Sequence, residues 1–120
     1  MKVTMLSSLL KDTKLVLQKC REAACPVLVQ ACGNPVLVIM DVATFDHQFK
    51  VAMKLPKGHV YVAYRPLRMP ISLLKGIGQT IAACDKADEP IYLQKFNKDE
   101  LVVMNCTVYA RLQKECKPCH

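Results

Sequence analysis

A chain of 120 residues can bury one domain-sized core, or two very small cores that gain by being shared. With 52% apolar residues, wholesale disorder is excluded, and no apolar run approaches the ~20 residues that a membrane-spanning helix needs. The formal charge of +7, from 17 Lys and Arg against 10 Asp and Glu, is spread over both halves and favours a polyanionic partner, nucleic acid first.

In chain order, residues 2–6 read as a short strand, and Ser7 or Ser8 is placed to cap a helix. Leu9, Leu10, Leu15, Val16, Leu17, Cys20 and Ala23 follow helical rather than alternating spacing, which predicts one or two helical segments from Leu9 to Ala24. Pro26 blocks continuation and pushes Cys25 towards extended geometry. Val27 to Val29 and Val36 to Met40, separated by Gly33-Asn34-Pro35, predict a hairpin. Asp41 stands at the N-cap of a short helix over 42–48. Residues 51–58 hold Pro56 and Gly58 among lysines and read as a linker, with a strand over 59–64. Ser72 to Lys86 is helical but carries Gly76 and Gly78, each costing about 1 kcal/mol against Ala, so a break is expected there. Pro90 opens a second hairpin that runs through Met104. Asn105 then takes the capping position, Thr107 to Glu115 form the last helix, and residues 116–120 are a tail.

The two halves share more than a rhythm. Residues 5–48 laid on residues 69–112, an offset of 64 without gaps, give 12 identical pairs, among them Ser8/Ser72, Lys11/Lys75, Cys20/Cys84, Pro26/Pro90, Gln30/Gln94 and Met40/Met104. Such self-similarity predicts a duplicated unit. The division is a first repeat at 1–50, a linker at 51–58, a second repeat at 59–115 and a tail at 116–120. A unit of roughly 50 residues buries too little surface to stand alone. The expected fold is therefore α+β: two tandem strand–helix–helix–hairpin–helix units forming an intrachain pseudo-dimer around a shared antiparallel sheet.

From Met69-Pro70-Ile71-Ser72-Leu73-Leu74-Lys75 through Glu89-Pro90-Ile91-Tyr92-Leu93-Gln94-Lys95 and Leu101-Val102-Val103-Met104 to Tyr109, the second unit resembles the Phd/YefM family of type II antitoxins. The match covers about residues 65–112. The first unit fits more loosely, through Pro26, the Gly33-Asn34-Pro35 turn, Val36 to Met40 and Phe45. The resemblance implies an α+β dimer that binds operator DNA as the repressor of a toxin–antitoxin system, with a cognate toxin as a further partner. It places the family's helix-start arginine on Lys75 and Lys11, and its turn lysine and asparagine on Lys95 and Asn97. Lysine lacks the planar fork that reads guanine bidentately, yet it meets phosphate. Asp12 and Gly76 follow those lysines, and Asp12 would repel phosphate. The first turn carries Ala31 and Cys32 in place of polar groups. Eight residues follow the second unit, too few for the family's toxin-wrapping tail.

The remaining chemistry is thin. Seven cysteines, an odd number lying largely in apolar patterns, read as reduced thiols of a cytoplasmic protein. Cys116-Lys117-Pro118-Cys119-His120 matches a C-x-x-C-H pattern, but a solvated tail is the simpler reading, ahead of a zinc half-site or redox pair. His47 and His59 are isolated, and no triad or phosphate-loop spacing is present, so neither an enzyme nor a cofactor is expected. The basic set Lys11, Lys14, Arg65, Arg68, Lys75, Lys95 and Lys98 is expected to dock the phosphates of duplex DNA. The expectation includes no membrane partner and leaves room for further homo-oligomers. The alternative is a protein-interaction module that keeps the fold and has lost operator binding.

Overall fold

The computed structural model describes residues 3–50 and 67–116, apart from the side chains of residues 49, 50, 115 and 116. The predicted linker at 51–58, the predicted strand at 59–64, Arg65 and residues 117–120 lie outside the described residues.

The fold is α+β around one six-stranded mixed sheet, ordered β1-β2-β3-β6-β5-β4. Its strands are β1 (Thr4–Leu6), β2 (Val27–Ala31), β3 (Asn34–Asp41), β4 (Leu67–Pro70), β5 (Ile91–Lys95) and β6 (Lys98–Met104). A 3-10 helix, Ser7–Lys11, and α1 (Thr13–Ala23) connect β1 to β2. A second 3-10 helix, Ile71–Lys75, and α3 (Ile77–Ala87) connect β4 to β5. After β3 comes α2 (Val42–Phe45), continued by a π-helical turn at Asp46–Lys50, and after β6 comes α4 (Cys106–Cys116).

The sheet is not antiparallel throughout, as the sequence had suggested. Both edge strands pair in parallel, β1 with β2 and β4 with β5. The reason is connectivity: a helical crossover brings the chain back in the same direction, whereas a tight turn reverses it. The edge strand of the second half is Leu67–Pro70, a segment the strand pattern had not marked.

The registers of the two halves correspond pair for pair. Met5↔Val29 recurs as Met69↔Leu93, and Val27↔Ile39 as Ile91↔Val103. Even the irregularity between Val29 and Gln30 recurs between Leu93 and Gln94, leaving Val36 and Glu100 as the extra residues. At the centre β3 and β6 pair antiparallel, Val38↔Met104, Ile39↔Val103 and Met40↔Val102. That pairing maps onto itself when the halves are exchanged.

Strand alternation sends apolar side chains to both faces. One face carries Val27, Val29, Leu37, Ile39, Ile91, Leu93, Leu101 and Val103, which pack under Leu10, Val16, Leu17, Cys20, Leu74 and Cys84. The other carries Val38, Met40, Tyr92, Val102 and Met104 beneath Phe45, Val108, Tyr109 and Leu112. Phe45 of the first half stands edge-on to Tyr92 of the second, with ring centroids 5.6 Å apart.

Helix starts and turns depart from the expectation in three places. Neither Ser7 nor Ser8 caps a helix; the cap of α1 is Asp12, whose carboxylate accepts from the Leu15 amide at 3.1 Å. Asp41 precedes α2 without capping it, while Asn105 accepts from the Val108 amide at 2.7 Å. The first hairpin turns on Cys32 and Gly33, and Asn34 and Pro35 already belong to β3. Both turns place two residues at positive φ, Cys32 and Gly33 in one, Phe96 and Asn97 in the other, as two-residue hairpins of matching twist require. Gly76 separates the second 3-10 helix from α3, where the break was expected.

Candidate nucleic-acid interface

Two groups of cations emerge on the described surface. Lys11 and Lys75 are the last residues of the two 3-10 helices, and those helices pack against one another. Both lysines are exposed. Lys14, in the first turn of α1, extends this group, and its counterpart in the second half is Gly78. Asp12, beside Lys11, spends its carboxylate on the Leu15 amide as well as bearing charge.

The second group lies at the β5–β6 turn. Lys95 and Lys98 flank Phe96 and Asn97. Phe96 is 88% exposed, and the Lys95 ammonium sits 5.7 Å from its ring centroid. Arg68 on β4 is held inside the chain: its Nε donates to Asp99 Oδ1 at 3.1 Å, and the guanidinium lies 5.7 Å from the Tyr92 ring centroid. Gln94 also donates to Asp99 Oδ1, at 3.0 Å. Arg21 is likewise taken up, by Glu100. Among the described residues, Lys11, Lys14, Lys75, Lys95 and Lys98 form no ion pair. These five are the cations of the predicted set that the described structure leaves open to a partner.

Phe96 was not singled out by the sequence reading. The signal available was a bulky aromatic at a turn position that Asn or Gly ordinarily fills.

A hollow of about 520 Å³ lies between the end of α1 and α2, lined by Cys25, Pro26, Asp41, Thr44, His47 and Gln48 among others. The corresponding place in the second half is crossed by Arg111, which donates to the Asp88 carbonyl at 2.7 Å and pairs with its carboxylate at 3.3 Å. Among the described residues, no group of three or more His, Cys, Asp or Glu is placed to hold a metal ion. The buried thiols are poor nucleophiles. Burial, then the nearby Asp41 and Cys25, pushes the Cys20 thiol up to about 12. Burial and Asp85 do the same for Cys84, also to about 12.

No family model matches the chain, and neither do curated proteins or solved structures. Among the described residues, no helix is long and apolar enough to cross a membrane.

Proposed function

We propose that this protein is a non-enzymatic, cytoplasmic DNA-binding regulator, an antitoxin-like repressor built as a single-chain pseudo-dimer. The observation that carries the reading is the placement of Lys11 and Lys75. They occupy equivalent positions, end two 3-10 helices that pack together, and have no ion-pair partner among the described residues. Two-fold DNA-binding dimers present equivalent cations to the two backbones of a near-palindromic site in this way. The self-mapping register at Ile39 and Val103 supports the same symmetry within one chain. Lys11, Lys14 and Lys75 would dock phosphates, and a lysine does so as a point charge.

The test is a gel shift at low salt with the DNA upstream of the coding sequence. Binding is expected, with log affinity falling linearly against log salt by about 0.9 per phosphate neutralised. Lys75→Ala should weaken binding and lower that slope by about one. Absence of binding at low salt overturns the reading.

The in-chain engagement of Arg68 by Asp99 favours a second reading, a protein-interaction module that has lost operator binding. Co-purification with the product of an adjacent reading frame, unchanged by Lys75→Ala and Arg68→Ala, would select it.

A further inference from the structure

We infer that the β5–β6 turn is a wedge: Phe96 inserts between base pairs of duplex DNA while Lys95 and Lys98 hold the flanking phosphates. The inference rests on the DNA-binding reading above and extends it to an element that reading does not use.

Three observations lead here. First, Phe96 sits at φ +52°, in a turn whose two central residues must both be left-handed. An L-residue with a bulky side chain is disfavoured there, and Asn or Gly would fill the position at lower cost. At the equivalent position the first half carries the smaller Cys32, at φ +51°, and Asn97 is matched by Gly33 at φ +79°. Second, the phenyl ring recovers little by burial, being 88% exposed. A locally unfavourable residue that neither packs nor eases the turn points to a role outside the fold. Third, the turn is cationic where it must be. Lys95 and Lys98 flank the ring, and the carboxylate nearest in sequence, Asp99, is occupied by Arg68 and Gln94.

The shape of the partner follows from what surrounds the ring. Pairing with β4 reaches Gln94 and pairing with β3 starts at Leu101, so only the tip beyond them is two-stranded. That tip is narrow enough to enter a groove of duplex DNA, and apolar side chains of architectural proteins enter base steps from such positions. A single-stranded nucleic acid would instead be met by a track of aromatics. Among the described side chains the other aromatics are buried: Phe45 at 0% exposure, Tyr92 at 6% and Tyr109 at 8%. A lone phenyl between two lysines also offers little apolar area to a bilayer.

Phe96→Asn separates function from folding, because Asn eases the turn. The substitution is expected to raise Tm by about 3–5 °C. It should also weaken anisotropy-detected binding to 30-base-pair duplexes from the upstream region by about tenfold, the effect of losing one stacked aromatic. Phe96→Trp should retain affinity. The salt slope should stay unchanged in Phe96→Asn and fall by about 0.9 in each of Lys95→Ala and Lys98→Ala. Resonance energy transfer between dyes on the duplex ends should report bending by wild type and straight DNA with Phe96→Asn. Binding by Phe96→Asn within twofold of wild type, with bending intact, overturns the wedge and leaves the DNA-binding reading standing. No duplex binding by wild type overturns both. Wild-type binding to phosphatidylserine vesicles that Phe96→Asn abolishes, without a duplex effect, would assign the turn to a membrane instead.

Discussion

Each half of the molecule caps one of its helix starts after a break or strand, and the halves choose opposite ones. In the first half Asp12 caps α1, while Asp41 leaves α2 uncapped. In the second, Asn105 caps α4, while Gly76 brings no side chain to the start of α3. The backbone frame is common to both halves, but its stabilising contacts have been redistributed. The same holds on the far face: Leu112 is buried where its counterpart Gln48 is exposed, and the helix there passes into a π-helical turn after Phe45.

The comparison can be broken most severely at the aromatics. Phe45→Ala should cost about 3–5 kcal/mol in urea unfolding, since its ring is fully buried against Tyr92 of the other half. Tyr109→Phe at the equivalent position should cost about 1–2 kcal/mol, because it keeps the ring and removes hydroxyl contacts that include those with Gln113 and Gln48. Next comes pH. Burial pushes the Cys20 and Cys84 thiols up to about 12 in the fold, above the roughly 8.5 of an unfolded cysteine. Their contribution is complete below pH ~8.5 and is lost as pH rises towards 12, so stability should drop by about 1–2 kcal/mol per thiol by pH 10. Chemical unfolding at pH 7.5 and 10 measures this, and a Cys20→Ala, Cys84→Ala variant should lose most of the difference.

Thr80 sharpens the contrast at a smaller scale. Its buried hydroxyl lies 2.7 Å from the Leu73 carbonyl and 2.9 Å from that of Gly76, bridging the break before α3. The first half has Val16 at this place and holds its break with Asp12. Thr80→Val should therefore cost about 1–2 kcal/mol. Last are the caps: Asp12→Ala and Asn105→Ala should each cost about 1 kcal/mol in thermal unfolding, and Asp41→Ala close to nothing.

Much of the frame was legible in the sequence. The constant offset anticipated the matching strand registers, and Pro26 and Pro90 marked where helices give way to hairpins. Gly76 marked a break. What escaped depends on distance or on position-specific geometry. The tie between Arg68 and Asp99 joins residues 31 apart, so no local pattern reveals that this cation is engaged. Asp12 looked like a charge misplaced near phosphate because its capping role depends on the 3-10 helix ending at Lys11. The turn at Cys32 and Gly33 was displaced because Pro35 suggested a loop, although it pairs with Gln30 beside the bulge. The strand at Leu67–Pro70 is brief and exposed, and its place is fixed by β5 rather than by its own alternation.

The central pairing of β3 with β6 also sets an order of events during synthesis. Val38 to Asp41 find their partners in Leu101 to Met104, and Phe45 finds its ring partner in Tyr92. On a ribosome adding 5–20 residues per second, the first hairpin would wait roughly 3–12 s with one strand edge open. Non-local contacts of this span are slow to close, and an open edge invites pairing between nascent chains. The seam that unites the two halves is thus also the interval in which the growing chain is most exposed to its neighbours.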